Sequence, residues 1–278
     1  MSLPDEYRRL VNAINERMSK VKHKIVIVSG KGGVGKSFVA ASLAVATAMT
    51  GRSVGVLDAD IHGPSIPRIM GLNGYSVFAD INGNIIPVEG PLNILVFSVQ
   101  FLLPSEDSPV IWRGPLKSRA ILEMLARVNW GELDYLYIDL PPGTGDEVLT
   151  IAQQLSRNAR AIVVTIPTEL SRVIVRKAVK FCKQLGIPVI GIVENMKGFT
   201  CPKCNTYYDI FPGDAGIRIA KEENIEYLGS IPLDPRVNEY TGRNQTFLQK
   251  YPESPVAKAV TEICSRIIRI LEGGREEH

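Results

Sequence analysis

The stretch that most limits what this chain can fold into is residues 24–37, KIVIVSGKGGVGKS. A short apolar, β-branched run, KIVIVS, reads as a buried strand that stops at Gly30. The segment that follows, KSFVAASLAVATAMTG, reads as a helix halted by Gly51. Between them, Gly30-Lys31-Gly32-Gly33-Val34-Gly35-Lys36-Ser37 matches the phosphate-loop pattern G-x-x-x-x-G-K-S. Glycines let successive backbone N–H groups turn inward around phosphate oxygens, and the helix adds the positive end of its dipole. Lys36 would supply a point charge to the terminal phosphates, and Ser37 a hydroxyl ligand for Mg²⁺. The plainer reading is a glycine-rich turn without a ligand, set against an intact pattern in the expected strand–helix context.

SVGVLDAD, NILVFSV, LDYLYIDL, ARAIVVTIP, IPVIGIVEN and IEYLGSIP read as further strands. Helical stretches at 115–130, 146–156, 169–185, 213–223 and 255–272 separate most of them. Continuously apolar strands alternating with helices imply an α/β fold, with a mostly parallel central sheet covered on both faces. SVFADINGNIIPVEG interrupts the series and alternates with period two about Asn82-Gly83, which suggests a β-hairpin. At 278 residues and 45% hydrophobic, the chain can bury the core of one such domain. We divide it into an N-terminal helix (1–21), one nucleotide-binding domain (22–272) with a two-cysteine knuckle at 201–204, and a tail (273–278). A net charge of +3 with acids and bases interspersed gives little support for a nucleic-acid partner. The first residues lack the apolar segment of a signal peptide, and no apolar run approaches the roughly 20 residues that cross a bilayer. The expectation is a soluble, cytoplasmic protein that binds no membrane.

Acids complete the phosphate site. Asp139 ends LDYLYIDL, where a carboxylate should reach the Mg²⁺ shell, through water. The turn PPGTGD that follows suits a γ-phosphate sensor. Asp58 and Asp60 end SVGVLDAD at the carboxyl edge where such sheets bind ligands. Asp60 is the better candidate to orient the attacking water, although carboxylates at strand ends also cap helices. Lys31 serves no need of the loop itself and can point toward a partner facing the same pocket; a solvated surface lysine is the plain alternative.

The four cysteines divide into two kinds. Cys182 and Cys264 fall on apolar helical stripes and read as small core residues. Cys201 and Cys204, in TCPKCNT, belong to no stripe. Two thiols at this spacing can grip a metal from one side but cannot fill its coordination sphere, so other ligands must come from elsewhere.

The KGGVGK pattern resembles the deviant Walker A loop of the MinD/ParA/nitrogenase iron protein superfamily. That resemblance implies a face-to-face homodimer in which Lys31 reaches the other subunit's nucleotide. VLDADIHGPSIPRIMG, YIDLPPGTGDEVLT, GIVENMKGFTCPKC and GSIPLDPRV further resemble, in the same order, the Mrp/ApbC-type iron–sulfur cluster carrier ATPases over roughly residues 22–272. The resemblance implies ATP and Mg²⁺ as cofactors, slow ATP hydrolysis, and a bridging [4Fe–4S] cluster on Cys201 and Cys204 for delivery to apo-proteins. With two thiolates from each subunit, a two-fold axis would provide the usual four. It also implies that Gly30 to Phe38, Asn195 and the Pro232–Asp234 turn contact the nucleotide, Asn195 at an adenine edge. Three departures stand out. Phe38 replaces a hydroxyl residue common in relatives, Asn205 replaces a glycine after the second cysteine, and the N-terminal extensions of some relatives are absent. Alternatives are a structural zinc shared by two knuckles, a redox dithiol, a MinD/ParA-type spatial organiser bound to membrane or DNA, and a small-metabolite kinase.

Overall fold

Alternate side chains of a strand leave opposite faces of the sheet. In β1 (Val21–Val28) both faces are apolar: Ile25 and Ile27 enter one core, Val26 and Val28 another, all buried. Such a strand has to be covered on both sides, and the remaining elements supply that cover. The computed structural model describes residues 3–61, 63–103, 114–143, 145–155, 158–201, 203–204, 206–239 and 245–273.

The chain starts with α1 (Leu3–Ser19), and β1 leads to α2 (Lys36–Ala48), β2 (Val54–Asp58) and the single turn α3 (Ile66–Ile69). Next come β3 (Phe78–Ala79), β4 (Ile85–Ile86), β5 (Val88–Glu89), β6 (Leu95–Ser98), α4 (Gly114–Arg127) and β7 (Leu133–Asp139). α5 (Asp146–Leu155), β8 (Ala159–Thr165), α6 (Ser171–Gln184), β9 (Val189–Thr200) and β10 (Tyr207–Tyr208) follow. The last elements are α7 (Ala215–Glu223), β11 (Glu226–Leu233), α8 (Arg236–Glu239), α9 (Phe247–Lys250) and α10 (Pro255–Glu272).

The main sheet runs β10-β9-β8-β1-β7-β2-β6-β5, with β11 on the other side of β9. β6, β2, β7, β1, β8, β9 and β11 are parallel, whereas β5 and β10 pair antiparallel at the margins. This is the expected mostly parallel α/β sheet. α2 and α10 cover one face, while α1, α4 and α5 cover the other. The expected hairpin forms as β3 and β4, pairing Phe78 with Ile86 across a turn in which Asp80 accepts from Asn82 and Asn84.

Two details differ from the sequence reading. The strand expected to end at Asn195 continues to Thr200, because β11 and β10 pair with its extension at Phe199 and Thr200. The segment expected as a turn from Pro232 to Asp234 is still strand through Leu233, so Pro232, the last residue of the expected run IEYLGSIP, lies within β11. It occupies the register irregularity between Ile231 and Leu233, where a residue without an N–H is tolerated. Cys182 and Cys264 are buried core residues as expected, and burial pushes the Cys182 thiol up to about 12.

α10 turns Val256, Val260, Ile263 and Ile267 into the core, so its apolar face already has a partner in the sheet. No helix among the described residues is long and apolar enough to cross a membrane. At its last turn Glu272 takes two bonds from Arg52 (2.9 and 2.6 Å) and one from Tyr135 Oη (2.6 Å), tying the helix end to the strands. The Arg52 bonds hold the Glu272 carboxyl down to about 2, below its ordinary 4.5. A depressed acid contributes stability above its unfolded value and loses it as pH falls through the folded one. Glu272→Gln should therefore lower the thermal midpoint near neutral pH and flatten the loss of stability between about pH 4.5 and 2. A variant whose melting curve tracks wild type at every pH would show that the clamp contributes nothing.

Candidate nucleotide site and cysteine knuckle

β1, β7 and β2 end side by side, with Ile27 opposite Asp139 and Asp139 opposite Asp58. The glycine loop leaves β1 at this edge. Gly33 and Gly35 take φ values of +78° and +79°, which residues bearing a Cβ rarely adopt. A Cβ on Gly35 would lie 2.2 Å from Asn195 Nδ2, and one on Gly30 2.2 Å from Ile174 Cγ2, so β9 and α6 clamp the loop. Gly32 is exposed, and Val34 is buried. Gly35 caps α2, whose first N–H groups have no acceptor within the helix and are available to an anion.

Lys36 Nζ lies 2.5 Å from Asp139 Oδ1, with the two side chains 6% and 0% exposed. Asp139 Oδ2 is buried and has no hydrogen-bond partner among the described residues. Burial raises the Asp139 pKa, against the opposing pull of Lys36 and of the Ser37 hydroxyl. Hard oxygens from Ser37 and Asp139 beside a phosphate loop are the donor set that suits Mg²⁺.

Asp58 is fully buried. It accepts from Asp60 N (3.2 Å), Ser65 N (3.0 Å), Ile66 N (3.2 Å) and Ser98 Oγ (3.2 Å). Burial first, then the charge of Asp139, pushes its pKa well above the carboxylate range. Asp58 thus caps α3 and pins the loop that carries Asp60, which is partly exposed and accepts from Gly63 N at 3.2 Å. The capping role weighed for both acids falls to Asp58. Lys31 is partly exposed, and no ion pair engages it among the described residues. The turn after β7 is tied to the loop by Gly143 N donating to Ser29 O at 3.0 Å. Thr144 of that turn lies outside the described residues.

Beside the loop opens a cavity of about 530 Å³, lined by Gly35, Phe38, Asn195, Pro232 and Asp234 among others. The fold therefore gathers around one cavity three segments that stand far apart in sequence. Asn195 donates from Nδ2 to Val34 O at 3.0 Å, so part of its amide is already committed to the loop. Asp234 is held by Arg236 through Nε (3.0 Å) and Nη2 (2.7 Å). Burial pushes its pKa up, yet the Arg236 bonds prevail and hold it below the ordinary value. The sequence reading missed Arg236, although its place two residues beyond Asp234 in LDPR hinted at the pairing. It also gave no role to Arg68 of α3, which lies in VLDADIHGPSIPRIMG and lines the same cavity.

The knuckle lies at the far end of β9. Cys201 N donates to Thr206 O (2.9 Å), and Cys204 Sγ bonds Thr206 Oγ1 (3.2 Å). Cys204 is exposed, and its thiol is held below the ordinary value first by the Thr206 hydroxyl and then by the Thr206 backbone and Cys201. Tyr207 and Tyr208 form β10 immediately afterwards, so the cysteines do not open a helix as a redox dithiol would. Pro202 and Asn205 lie outside the described residues.

The family described as the NUBPL iron-transfer P-loop NTPase matches residues 20–268. This chain belongs to that family. The iron–sulfur cluster carrier protein of Saccharolobus solfataricus is 46% identical over 262 residues, covering 94% of this chain and 88% of its own. The protein of the same name from Methanocaldococcus jannaschii is 48% identical over 263 residues, covering 95% and 90%. Among solved structures, an Archaeoglobus fulgidus nucleotide-binding protein in complex with ADP, in which cobalt was found, superimposes with a TM-score of 0.74. It is 42% identical, over 84% of this chain and 90% of that one. The Pyrococcus furiosus cell division ATPase MinD follows at a TM-score of 0.67 and 25% identity, over 89% and 99%.

In this member of the family one strand joins the phosphate loop to the knuckle, since β9 carries Asn195 against the loop and ends one residue before Cys201. The close approach of Asn195 to Gly35 can be tested directly. Gly35→Ala introduces a side chain into left-handed backbone and against the Asn195 amide, and should destabilise the protein by about 1–3 kcal/mol in urea denaturation. An unchanged midpoint would mean that the loop has slack that this geometry denies.

Proposed function

We propose that the protein is an ATP-binding, slowly ATP-hydrolysing homodimer that carries a bridging [4Fe–4S] cluster and transfers it to apo-proteins. The observation that carries this reading is the Cys201–Cys204 pair, with Cys204 exposed and its thiol held below the ordinary value, at the end of the strand that also braces the phosphate loop. The named relatives, iron–sulfur cluster carriers and an ADP-bound protein, support both halves of it.

The nucleotide half follows from the buried ion pair. An incoming triphosphate competes with Asp139 for Lys36, and the loop amides of Gly30 to Phe38 receive the phosphate oxygens. As Lys36 turns to the phosphates, Asp139 is left with Ser37 as the oxygen pair for Mg²⁺. The bound metal would neutralise charge on the β- and γ-phosphates. Asp60 orients a water whose oxygen bonds to the γ-phosphorus while the bridging P–O bond to the β-phosphate breaks, giving ADP and inorganic phosphate. Lys31 of each subunit reaches the other's nucleotide and stabilises the charge that develops there. Asn195, Pro232 and Asp234 border the base.

The cargo half follows from ligand count. Among the described residues no group of three or more His, Cys, Asp or Glu side chains could hold a metal. Cys201 and Cys204 supply half a thiolate set, and a second copy across a two-fold axis supplies the other half. Nucleotide state would alter how closely the subunits meet, and thereby how firmly the cluster is held.

Anaerobic reconstitution should yield about four iron and four sulfide per dimer, with Cys201→Ser and Cys204→Ser each abolishing both. A monomer that retains a fully ligated cluster, or one tetrahedral zinc without sulfide, would overturn the bridging-cluster assignment. In a steady-state ATPase assay Lys36→Ala should lose nucleotide binding or turnover altogether. Lys31→Ala should keep most of the binding but lose turnover by about 10²-fold or more, the scale of a trans-acting cation. Normal turnover in Lys31→Ala would remove the reason to place that lysine across a dimer.

A further inference from the structure

The first turn of α2 sends three neighbouring side chains to different tasks. Lys36 meets Asp139, and the Ser37 hydroxyl lies by the same carboxylate. Phe38 turns away from both. With Ala41, Ser42 and Val45 it falls at the i, i+3, i+4, i+7 spacing of one helical face, and all four line the 530 Å³ cavity. The Phe38 ring is partly buried and packs against the larger core, so its position is fixed by its neighbours rather than by solvent. The cavity opens at Gly35, next to the free N–H groups of the helix start, and Asn195, Pro232 and Asp234 share its wall. Its volume lies in the range of small-ligand pockets.

Position 38 therefore offers a phosphate only its backbone N–H, while its side chain offers the cavity an apolar aromatic surface. We infer that Phe38 is a specificity-determining residue for the nucleoside half of the ligand, its ring forming the wall against which base and sugar pack. This rests on the nucleotide reading above and adds where binding strength is drawn from. The phosphates are held by loop amides and Lys36, and the nucleoside by an aromatic contact that helix α2 itself provides. A ligand with the same phosphates but no nucleoside would gain nothing from Phe38.

Calorimetric titration of the full chain with Mg²⁺ and either ADP or pyrophosphate separates the two halves. Phe38→Thr should weaken ADP binding by about tenfold, the scale of one lost base–aromatic contact, and leave pyrophosphate within about twofold of wild type. Phe38→Leu, which keeps most of the apolar volume, should weaken ADP less and pyrophosphate not at all. It also serves as the deciding variant should Phe38→Thr fail to fold. ADP affinity equal to or tighter than wild type in the folded variant, or a parallel loss of pyrophosphate, overturns the assignment while leaving the nucleotide reading intact. A wild-type chain that binds neither ligand overturns the nucleotide reading, and this inference with it.

Discussion

A lysine and a carboxylate sealed at the carboxyl edge of the sheet set the terms for everything around them. Lys36 and Asp139 are each buried, and removing one partner from such a pair commonly costs about 3–5 kcal/mol because the other charge is left without compensation. Asp58, aligned with Asp139 on the next strand, adds a third ionisable group to the same small volume. Four hydrogen bonds to its carboxyl organise the loop bearing Asp60. Among the described residues, Lys36 is the cation paired with this cluster. A polyanion that draws Lys36 away leaves two adjacent carboxyls short of positive charge, which is the condition that favours a divalent cation. In the proposed function, nucleotide and metal binding are thereby coupled through the electrostatics of the strand ends.

The same edge is linked to the knuckle by continuous backbone. Asn195 and Met196 touch the loop at Gly35, and Met196 holds φ at +61°. Buried Glu194 is bonded by Gly216 N (2.8 Å), Tyr227 Oη (2.9 Å) and Lys197 Nζ (2.8 Å), fixing this part of β9 to α7 and β11. Four residues beyond Glu194, a Cβ at Gly198 would meet the Tyr207 hydroxyl at 2.2 Å and its ring at 2.3 Å, so the strand leading into the cysteines and the strand leaving them are in contact. Every residue between phosphate loop and thiols is therefore packed or paired on at least one side, a stiff path rather than a slack tether.

Much of this was legible in the sequence because it rests on local pattern. β-Branched runs alternating with helices announced the parallel sheet, and the glycine–lysine–serine loop announced the anion site, since few other residues tolerate that backbone or supply those charges. The hairpin and the buried helical cysteines followed from period-two and helical spacing in the same way. What stayed hidden depends on distant pairing. The extension of β9 past Asn195 is created by pairing with the two-residue β10 and, across a register shift, with β11, and a strand's own residues do not show which partners it will meet. Pro232 reads both as the last residue of a strand and, through the resemblance, as the first of a turn; it lies in β11 at a register shift. The division of labour between Asp58 and Asp60 could not be read from two acids in one motif, because it is decided by which carboxyl faces α3 and Ser98.

The knuckle presents two deficits on one surface. Its thiols are too few for a cluster, and Tyr207, Tyr208 and Ile210 next to them in the chain are 58%, 51% and 41% exposed. Large apolar side chains beside exposed thiols leave both coordination and burial incomplete. A ligand supplied by small molecules would fill the first deficit and leave the second. In the proposed homodimer a second copy of this chain, bearing its own cysteines, fills both, because two-fold symmetry brings like to like. The number of thiols and the uncovered rings thus argue for the same partner on independent grounds, one from coordination chemistry and one from the hydrophobic effect.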